Sequence, residues 1–239
     1  MPPFLSVIIP AYNEERRLPS TLVTVQSYLE RAPYSWELIV ADDGSLDSTI
    51  AAAKACFRSA NCRVSPAPRN QGKGAAIRRG MLEAKGRYRL FTDADNSTPI
   101  EEVARLLRRM KESQADVAIA SRAAPGARLE KRQPLHRELM GRSFNLVVQT
   151  LAVPGIKDTQ CGFKLFSAEA TEAIFPLQSM DGFSFDVELL LLARQKGFSI
   201  VEVPVRWIDN PDSRVSPMRD SARVFVDVLR IRWRHRDGS

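Results

Sequence analysis

Cysteine is scarce in this chain: Cys56, Cys62 and Cys161 are the only three in 239 residues. Their odd number and the lack of paired metal spacing exclude a disulfide framework and a zinc site and point to a reducing compartment, with each thiol acting as a small apolar residue. Long apolar runs are missing as well. The longest uncharged stretch lies between Arg142 and Lys157, fourteen residues interrupted by Asn145, Gln149, Pro154 and Gly155, whereas a bilayer-spanning helix needs about 20 apolar residues. The opening segment MPPFLSVIIPAYNEE has no basic region before its apolar run and no small-residue cleavage site, so it is expected to form a strand and not an export signal. No internal repeat and no low-complexity tract occurs. A broad basic face is also absent, although the net charge is +7. Residues 122–142 carry six cations and two anions, and residues 219–237 carry six arginines and three aspartates, so two local clusters hold the whole excess. That distribution suits phosphate handling and an anionic membrane surface, and nucleic acid is not an expected partner.

What is present is a core: 44% of the residues are apolar, enough for one domain or one domain with a subdomain. From residue 5 to 121, strand-length apolar runs alternate with helix-period segments, which predicts an α/β fold with a mostly parallel sheet flanked by helices. The strands are LSVIIP, WELIVA, CRVSPAP, YRLFTD and DVAIAS. The first helix carries Leu18, Leu22, Val25 and Leu29 on one face, the second is expected to start near Ser45 as N-cap, and a later one buries Val103, Leu106, Leu107 and Met110. Right-handed crossovers place the ends of these strands on one edge. Beyond 121 the alternation breaks. A basic stretch leads to an apolar helix over about 136–152, then a strand CGFKLFS, a helix FDVELLLLARQKG, a strand SIVEVPVRW and a terminal helix. The expected division is 1–121 for nucleotide binding, 122–217 as the acceptor side of the same catalytic domain, and 218–239 as a basic amphipathic helix.

The chemistry is expected in YRLFTDADNSTP. In an open α/β sheet ligands gather beyond the carboxyl ends of the strands, and here a buried strand runs into Asp93 and Asp95. Carboxylates at alternate positions suit Mg²⁺ or Mn²⁺, which takes one or two of them and completes its shell with water and substrate phosphates. The competing account is helix capping by Asn96, Ser97 or Thr98 with Pro99 at the first helical position. Upstream, PAYNEE and ADDGSLDST close the first two strands. Tyr12 can lie beside a base and Asp42 can accept from a base N–H, or both are a packing ring and a turn former beside Asp43 and Gly44. RNQGKGAA departs from a Walker loop, with Ala67 at the first glycine position and Gly74 after Lys73. The N–H groups of Gly72 and Gly74 can still meet phosphate with Lys73 supplying charge, or the loop is a plain turn. Asp186 and Glu188 either orient a substrate or cap their helix.

PAYNEE, DDGSxDxT, NxGKG and DAD, each at the end of a successive strand, followed by ASR at 120–122, KDTQCGFKLF at 157–166 and FDVELL at 185–190, resemble the family 2 inverting glycosyltransferases of GT-A type. The likeness covers nearly the whole chain and is strongest to dolichyl-phosphate β-glucosyltransferases and dolichol-phosphate mannose synthases. DTQCGFKLF resembles the glucosyl branch. The resemblance implies a nucleotide-sugar donor, a polyprenyl-phosphate acceptor and a Mg²⁺ or Mn²⁺ cofactor. It places Pro10, Tyr12, Glu14, Asp42 and Asp43 at the nucleoside and Gly72 and Lys73 near the nucleotide. Asp93 falls at the donor ribose or sugar, Asp95 at the metal, and Ser97 where mannosyl relatives have a further ligand. Arg122, Arg137 and Arg142 match cations that meet phosphate, and Arg214 matches a cation on a mobile loop. The implied activity is transfer of a hexose, foremost glucose from UDP-glucose. GDP-mannose as donor, a glycan or small-molecule acceptor, a nucleotide-sugar-binding protein without catalysis, and a nucleotidyltransferase are the other readings. The terminal helix, with Val224, Phe225, Val228, Leu229, Ile231 and Trp233 among arginines, suits the cytoplasmic face of a membrane or a docked position on the core.

Overall fold

A computed structural model describes residues 1–130 and 153–208, together with Asp227, Arg230, Ile231, Trp233, Arg234 and His235. The chain runs β1 (Leu5–Ala11), α1 (Leu18–Leu29), β2 (Trp36–Asp42), α2 (Thr49–Cys56), β3 (Cys62–Pro66), α3 (Lys73–Glu83) and β4 (Tyr88–Thr92). After a 3₁₀ turn at Ile100–Glu102 come α4 (Val103–Ser113), β5 (Val117–Ser121), β6 (Arg128–Leu129), β7 (Phe163–Ser167) and α5 (Ala168–Ile174). α6 (Phe185–Gln195), β8 (Ile200–Pro204) and β9 (Arg206–Trp207) complete the described elements.

Seven strands form one sheet in the order β3-β2-β1-β4-β7-β5-β8, and β6 pairs with β9 in a second, two-stranded one. All pairs of the large sheet are parallel except those of β7, which lies antiparallel between β4 and β5. The sequence alternation predicts the parallel strands but not this insertion. β7 and β8 thus continue the sheet begun by β1, so the second half of the chain is built into the same layer.

Strand side chains alternate between two apolar layers, as the pleat requires. Leu5, Val7 and Ile9 of β1 pack with α1, α2 and α4, including Leu18, Leu22, Leu106 and Met110. Ile8, with Phe91 of β4 and Phe166 of β7, faces α3, α5 and α6. Burial on both faces explains why β1 reads as a continuous apolar run. Phe91 lies 6.1 Å from Phe166 and 5.7 Å from Phe185, which fastens α6 to the sheet; truncating one such buried ring costs about 3–5 kcal/mol.

Two local expectations are corrected. α2 starts at Thr49, and Asp47 Oδ1 accepts from the Thr49 N–H at 2.9 Å, while Ser45 Oγ instead accepts from the Asn13 N–H at 3.0 Å. The segment SIVEVPVRW is divided: β8 pairs with β5, and β9 leaves to pair with β6.

The described C-terminal residues sit on α6. Ile231 is fully buried, His235 Nε2 lies 2.9 Å from Glu188 Oε1, and Gln195 Nε2 donates to the His235 carbonyl at 2.7 Å. Ser184 Oγ lies 2.6 Å from Asp227 Oδ2, whereas Trp233 is 78% exposed. Among the described residues no helix is long and apolar enough to cross a membrane.

Candidate functional site

Strand order reverses beside β1: β2 and β3 extend to one side and β4 lies on the other. Such a switch point opens a crevice beyond the strand ends, and a cleft of about 420 Å³ lies there. Pro10, Ala11 and Tyr12 at the end of β1 line it, with Glu14 and Arg17, Asp43 just past β2, Gly72 and Lys73 at the start of α3, Asp93 and Asp95 just past β4, and Phe183. Pro10 is tolerated in a central strand because the β1–β4 pairing ends at Ile8 opposite Phe91, before the missing N–H would matter.

Two asparagines shape the loops around the acids. Asn13 and Asn96 hold left-handed φ values of 54° and 51°, which asparagine tolerates better than most residues. Asn13 Oδ1 accepts from the Leu46 N–H at 2.8 Å, stitching the β1 loop to the β2 loop. Asn96 turns the chain so that the Ser97 N–H reaches Asp95 Oδ1 at 3.0 Å. The capping account of NSTP is not realised: the 3₁₀ turn starts after Pro99 with no side-chain cap.

Lys73 Nζ lies 2.5 Å from Asp93 Oδ1, an oxygen that is buried and receives no directed hydrogen bond. Burial works against the lysine charge, yet Asp93, with Asp186 and Asp95 beyond it, holds the Lys73 pKa above its ordinary value. Burial and the Asp93 charge push the Asp95 carboxyl upward. Burial likewise raises Asp43, against the pull of two N–H donors. Beneath this group lies a fully buried ion pair, Lys164 with Asp186, in which Lys164 Nζ also donates to the Cys161 carbonyl at 2.7 Å. Burial raises the Asp186 pKa despite Lys164 and Lys73.

A hard divalent ion fits this donor set. Asp93 and Asp95 are two partly buried carboxylates on one turn at a cleft wall, and the Asp95 pKa is raised by burial and by Asp93 even with Lys73 beside them, as expected where like charges are under-neutralised. Among the described residues no group of three or more His, Cys, Asp and Glu is placed to hold a metal. The remaining coordination positions therefore fall to ligand oxygens and water.

Several expected roles shift. Asp42 is fully buried: its Oδ2 accepts from the N–H groups of Gly44 and Ser45, both at 3.1 Å, and its Oδ1 has no partner. Asp43 is the one on the cleft wall. The N–H groups at the start of α3 are occupied by protein, not open to phosphate: Gly72 donates to Asp43 Oδ2 at 2.7 Å and Gly74 to the Asp181 carbonyl at 2.7 Å. The glycines serve close packing, since a Cβ on Gly72 would lie 2.4 Å from that carbonyl. Glu14 pairs with Arg17 at 2.5 Å. Arg122 stands at the end of β5 and grips buried Asp158 with Nε at 2.7 Å and Nη2 at 2.9 Å, while its guanidinium lies 5.4 Å from the Trp207 ring. Although burial opposes it, Arg122 holds the Asp158 carboxyl below the usual range. Asp186 and Glu188 do not cap α6; Asp186 meets Lys164, and Glu188 accepts from Ser179 and Met180. Arg137, Arg142 and Arg214, the helix expected over 136–152 and most of the terminal helix lie outside the described residues.

The residues that sequence reasoning passed over come from the antiparallel strand. Because β7 runs against β4, its start meets the end of β4: Phe163 pairs with Thr92, and the Asp93 N–H donates to the Gly162 carbonyl at 3.1 Å. A Cβ on Gly162 would stand 2.1 Å from Asp93 Oδ2, so only glycine leaves room for that carboxylate. Lys164, two residues on, faces the same way. The signal was the CGFK spacing itself, which has no reading until the strand direction is known.

The sequence matches the family described as Glycosyl transferase family 2 over residues 6–175. It is 37% identical to "Dolichyl-phosphate beta-glucosyltransferase" of Dictyostelium discoideum, over 97% of this chain and 75% of that protein. It is 36% identical to the human protein of the same description, over 98% of this chain and 76% of that one. In fold it is similar to glucosyl-3-phosphoglycerate synthase from Mycobacterium tuberculosis in complex with Mn²⁺, uridine-diphosphate and glucosyl-3-phosphoglycerate, with TM-score 0.69 and 20% identity over 96% of this chain and 78% of that one. It is also similar to mannosyl-3-phosphoglycerate synthase from Rubrobacter xylanophilus, with TM-score 0.72 and 18% identity over 98% and 74%.

Proposed function

The chain belongs to glycosyl transferase family 2, and on that footing we propose that it transfers glucose from UDP-glucose to the phosphate of a dolichyl-type polyprenol, inverting the anomeric carbon. The observation that carries this reading is the grouping of Asp93, Asp95 and Lys73 in the cleft where β1 and β4 end, in a chain similar over nearly its whole length to dolichyl-phosphate β-glucosyltransferases.

An oxygen of the acceptor phosphate attacks the anomeric carbon while the bond to the diphosphate breaks and its electron pair leaves with UDP. That oxygen is already anionic at neutral pH, so no general base has to take a proton. The protein's task is to hold two anions against each other and to stabilise the departing charge. Tyr12, Pro10 and Asp43 flank the nucleoside. Lys73, held charged by Asp93, meets the diphosphate. Asp95 with Asp93 would hold a Mg²⁺ or Mn²⁺ ion, which when bound would further neutralise the leaving group. The Ser97 N–H fixes the Asp95 carboxylate, and buried Asp42 braces the loop below the nucleoside. Arg122, kept in place by Asp158, offers a fixed positive charge on the acceptor side, and Arg137, Arg142 and Arg214 are assigned to the same phosphates. In this scheme residues 1–121 bind the nucleotide and diphosphate, and 122–217 supply the acceptor side and, through Phe183, one wall of the donor cleft. Residues 218–239 meet the cytoplasmic face of the membrane, where exposed Trp233 suits the interface.

The test is an assay of purified protein with Mn²⁺ or Mg²⁺, offering UDP-glucose and GDP-mannose in parallel, with and without polyprenyl phosphate. Lipid-linked product from UDP-glucose alone is expected. Product from GDP-mannose alone, or glucose transfer that ignores the lipid phosphate, overturns the assignment.

A further inference from the structure

Phe183 is anomalous for its type. Two residues before fully buried Phe185, it is 43% exposed and stands on the wall of the cleft. Lys73 Nζ lies 2.5 Å from Asp93 Oδ1 and 6.0 Å from the centroids of both Phe183 and Phe185, so the exposed ring shares one ammonium with a carboxylate and a core ring. The loop carrying the ring is tied down at several points. Glu188 accepts from the N–H groups of Ser179 and Met180 at 3.0 and 2.8 Å, and Gln178 Nε2 donates to the Gly74 carbonyl at 2.9 Å. The Asp181 carbonyl accepts from the Gly74 N–H at 2.7 Å. Exposed aromatic rings on irregular segments usually turn to cover apolar surface; this one is held where charged groups surround an open cavity.

We infer that Phe183 is a specificity-determining residue that stacks on the pyranose ring of the donor sugar. The inference rests on the donor assignment above and deepens it. A hexopyranose whose ring hydroxyls are mostly equatorial presents C–H groups on its flat faces, and an aromatic face is their natural partner. An axial hydroxyl would push the sugar off that surface. Lys73 and the acid pair are the groups assigned to the diphosphate, and the ring lines the same cleft 6.0 Å from that ammonium, within reach of what the diphosphate carries. Recognition by one apolar ring beside a few charged groups is the usual composition of a small-molecule site. Since the backbone at 178–181 that leads into the ring is already held, binding has little loop to order.

The experiment is calorimetric titration of UDP and of UDP-glucose, each with Mn²⁺, into wild type, Phe183→Ala and Phe183→Trp, with thermal melts to confirm folding and KM for polyprenyl phosphate measured alongside. A lost aromatic contact should weaken UDP-glucose binding to Phe183→Ala by about 3- to 10-fold while UDP changes by less than about twofold, and Phe183→Trp should bind UDP-glucose near the wild-type level. Equal weakening of UDP and UDP-glucose would place the ring on the nucleotide and overturn the inference. So would unchanged UDP-glucose binding, including the case in which only the KM for polyprenyl phosphate rises. A wild type that binds UDP but not UDP-glucose would instead overturn the donor assignment and this inference with it.

Discussion

Replacing Gly162 with alanine isolates what the antiparallel strand contributes to the site. The new Cβ would stand 2.1 Å from Asp93 Oδ2 and 2.4 Å from its Cγ, whereas ordinary contacts begin near 3.4 Å. The carboxylate therefore has to retreat by roughly 1 Å, and a misplacement of that size in a reacting constellation costs about 10²-fold in rate. That fold-change corresponds to about 2.7 kcal/mol of transition-state stabilisation. The 2.5 Å contact with Lys73 must break or move along with it. Stability should respond differently. Gly162 is not among the residues with positive φ, so alanine fits the backbone, and the unfolded chain loses entropy worth about 0.4–1 kcal/mol in favour of folding. The expected result is a variant that melts within a few degrees of wild type with kcat/KM for glucosyl transfer down about 100-fold. Asp93→Ala supplies the decisive comparison: with the carboxylate gone, adding Gly162→Ala should change activity no further, a coupling as large as the single effect. Wild-type kcat/KM in Gly162→Ala, or full additivity in the double variant, would refute the claim that this glycine acts through Asp93.

The Asp95 carboxyl has its pKa raised in the folded state, first by burial and then by Asp93. The stability it costs thus develops as pH rises from the ordinary aspartate value through the raised one, and persists at neutral pH. Asp95→Asn should therefore melt higher than wild type near pH 7 without metal and lose the stabilisation that Mn²⁺ gives, while transfer falls by about 10²–10³-fold; a lower melting point or retained turnover contradicts this. For Arg122→Met the sign is opposite. Asp158 is held below the usual range by Arg122 against its own burial, so the pair's stability is present above the unfolded aspartate pKa and is lost as pH falls through the depressed one. Urea unfolding at pH 7 should show a loss of about 3 kcal/mol, shrinking in acid, and identical midpoints at neutral pH would argue that Asp158 finds another partner.

Much of the donor side was legible because it obeys local rules. Five strands, the face of α1 and the convergence of Asp93, Lys73 and Tyr12 on one edge follow from alternating periodicity and from the rule that crossovers bring strand ends together. What escaped was nonlocal. No sequence spacing states that β7 enters backwards between β4 and β5, and without that fact Gly162 and Lys164 are an ordinary strand glycine and a solvated lysine. The glycine loop misled for a related reason. Gly72 and Gly74 do open a helix, but the segment ending at Asp181, more than a hundred residues later, occupies that end first. Adjacent acids were equally ambiguous. Only the turn geometry decides that Asp42 is buried under its own loop, whereas Asp43, held by the N–H groups of Gln71 and Gly72, lines the cleft.

The charges around the cleft are arranged to be incomplete. Asp93, Asp95 and Asp186 face Lys73 and Lys164, and the pKa values of Asp95 and Asp186 stay raised even so. Desolvated like charges are a cost that hydrophobic layers on both faces of the sheet must offset. Under the proposed assignment, a divalent ion held by Asp93 and Asp95 would remove the excess of negative charge and leave a positive surplus, the condition for drawing in a diphosphate. The proposed site thus carries an electrostatic cost in the free protein: without a cation Asp93 and Asp95 would repel a diphosphate, and with one they would hold the ion that neutralises it. Lys164 is what keeps that arrangement local. Buried against Asp186, it confines the imbalance to the cleft wall instead of letting it spread through the core.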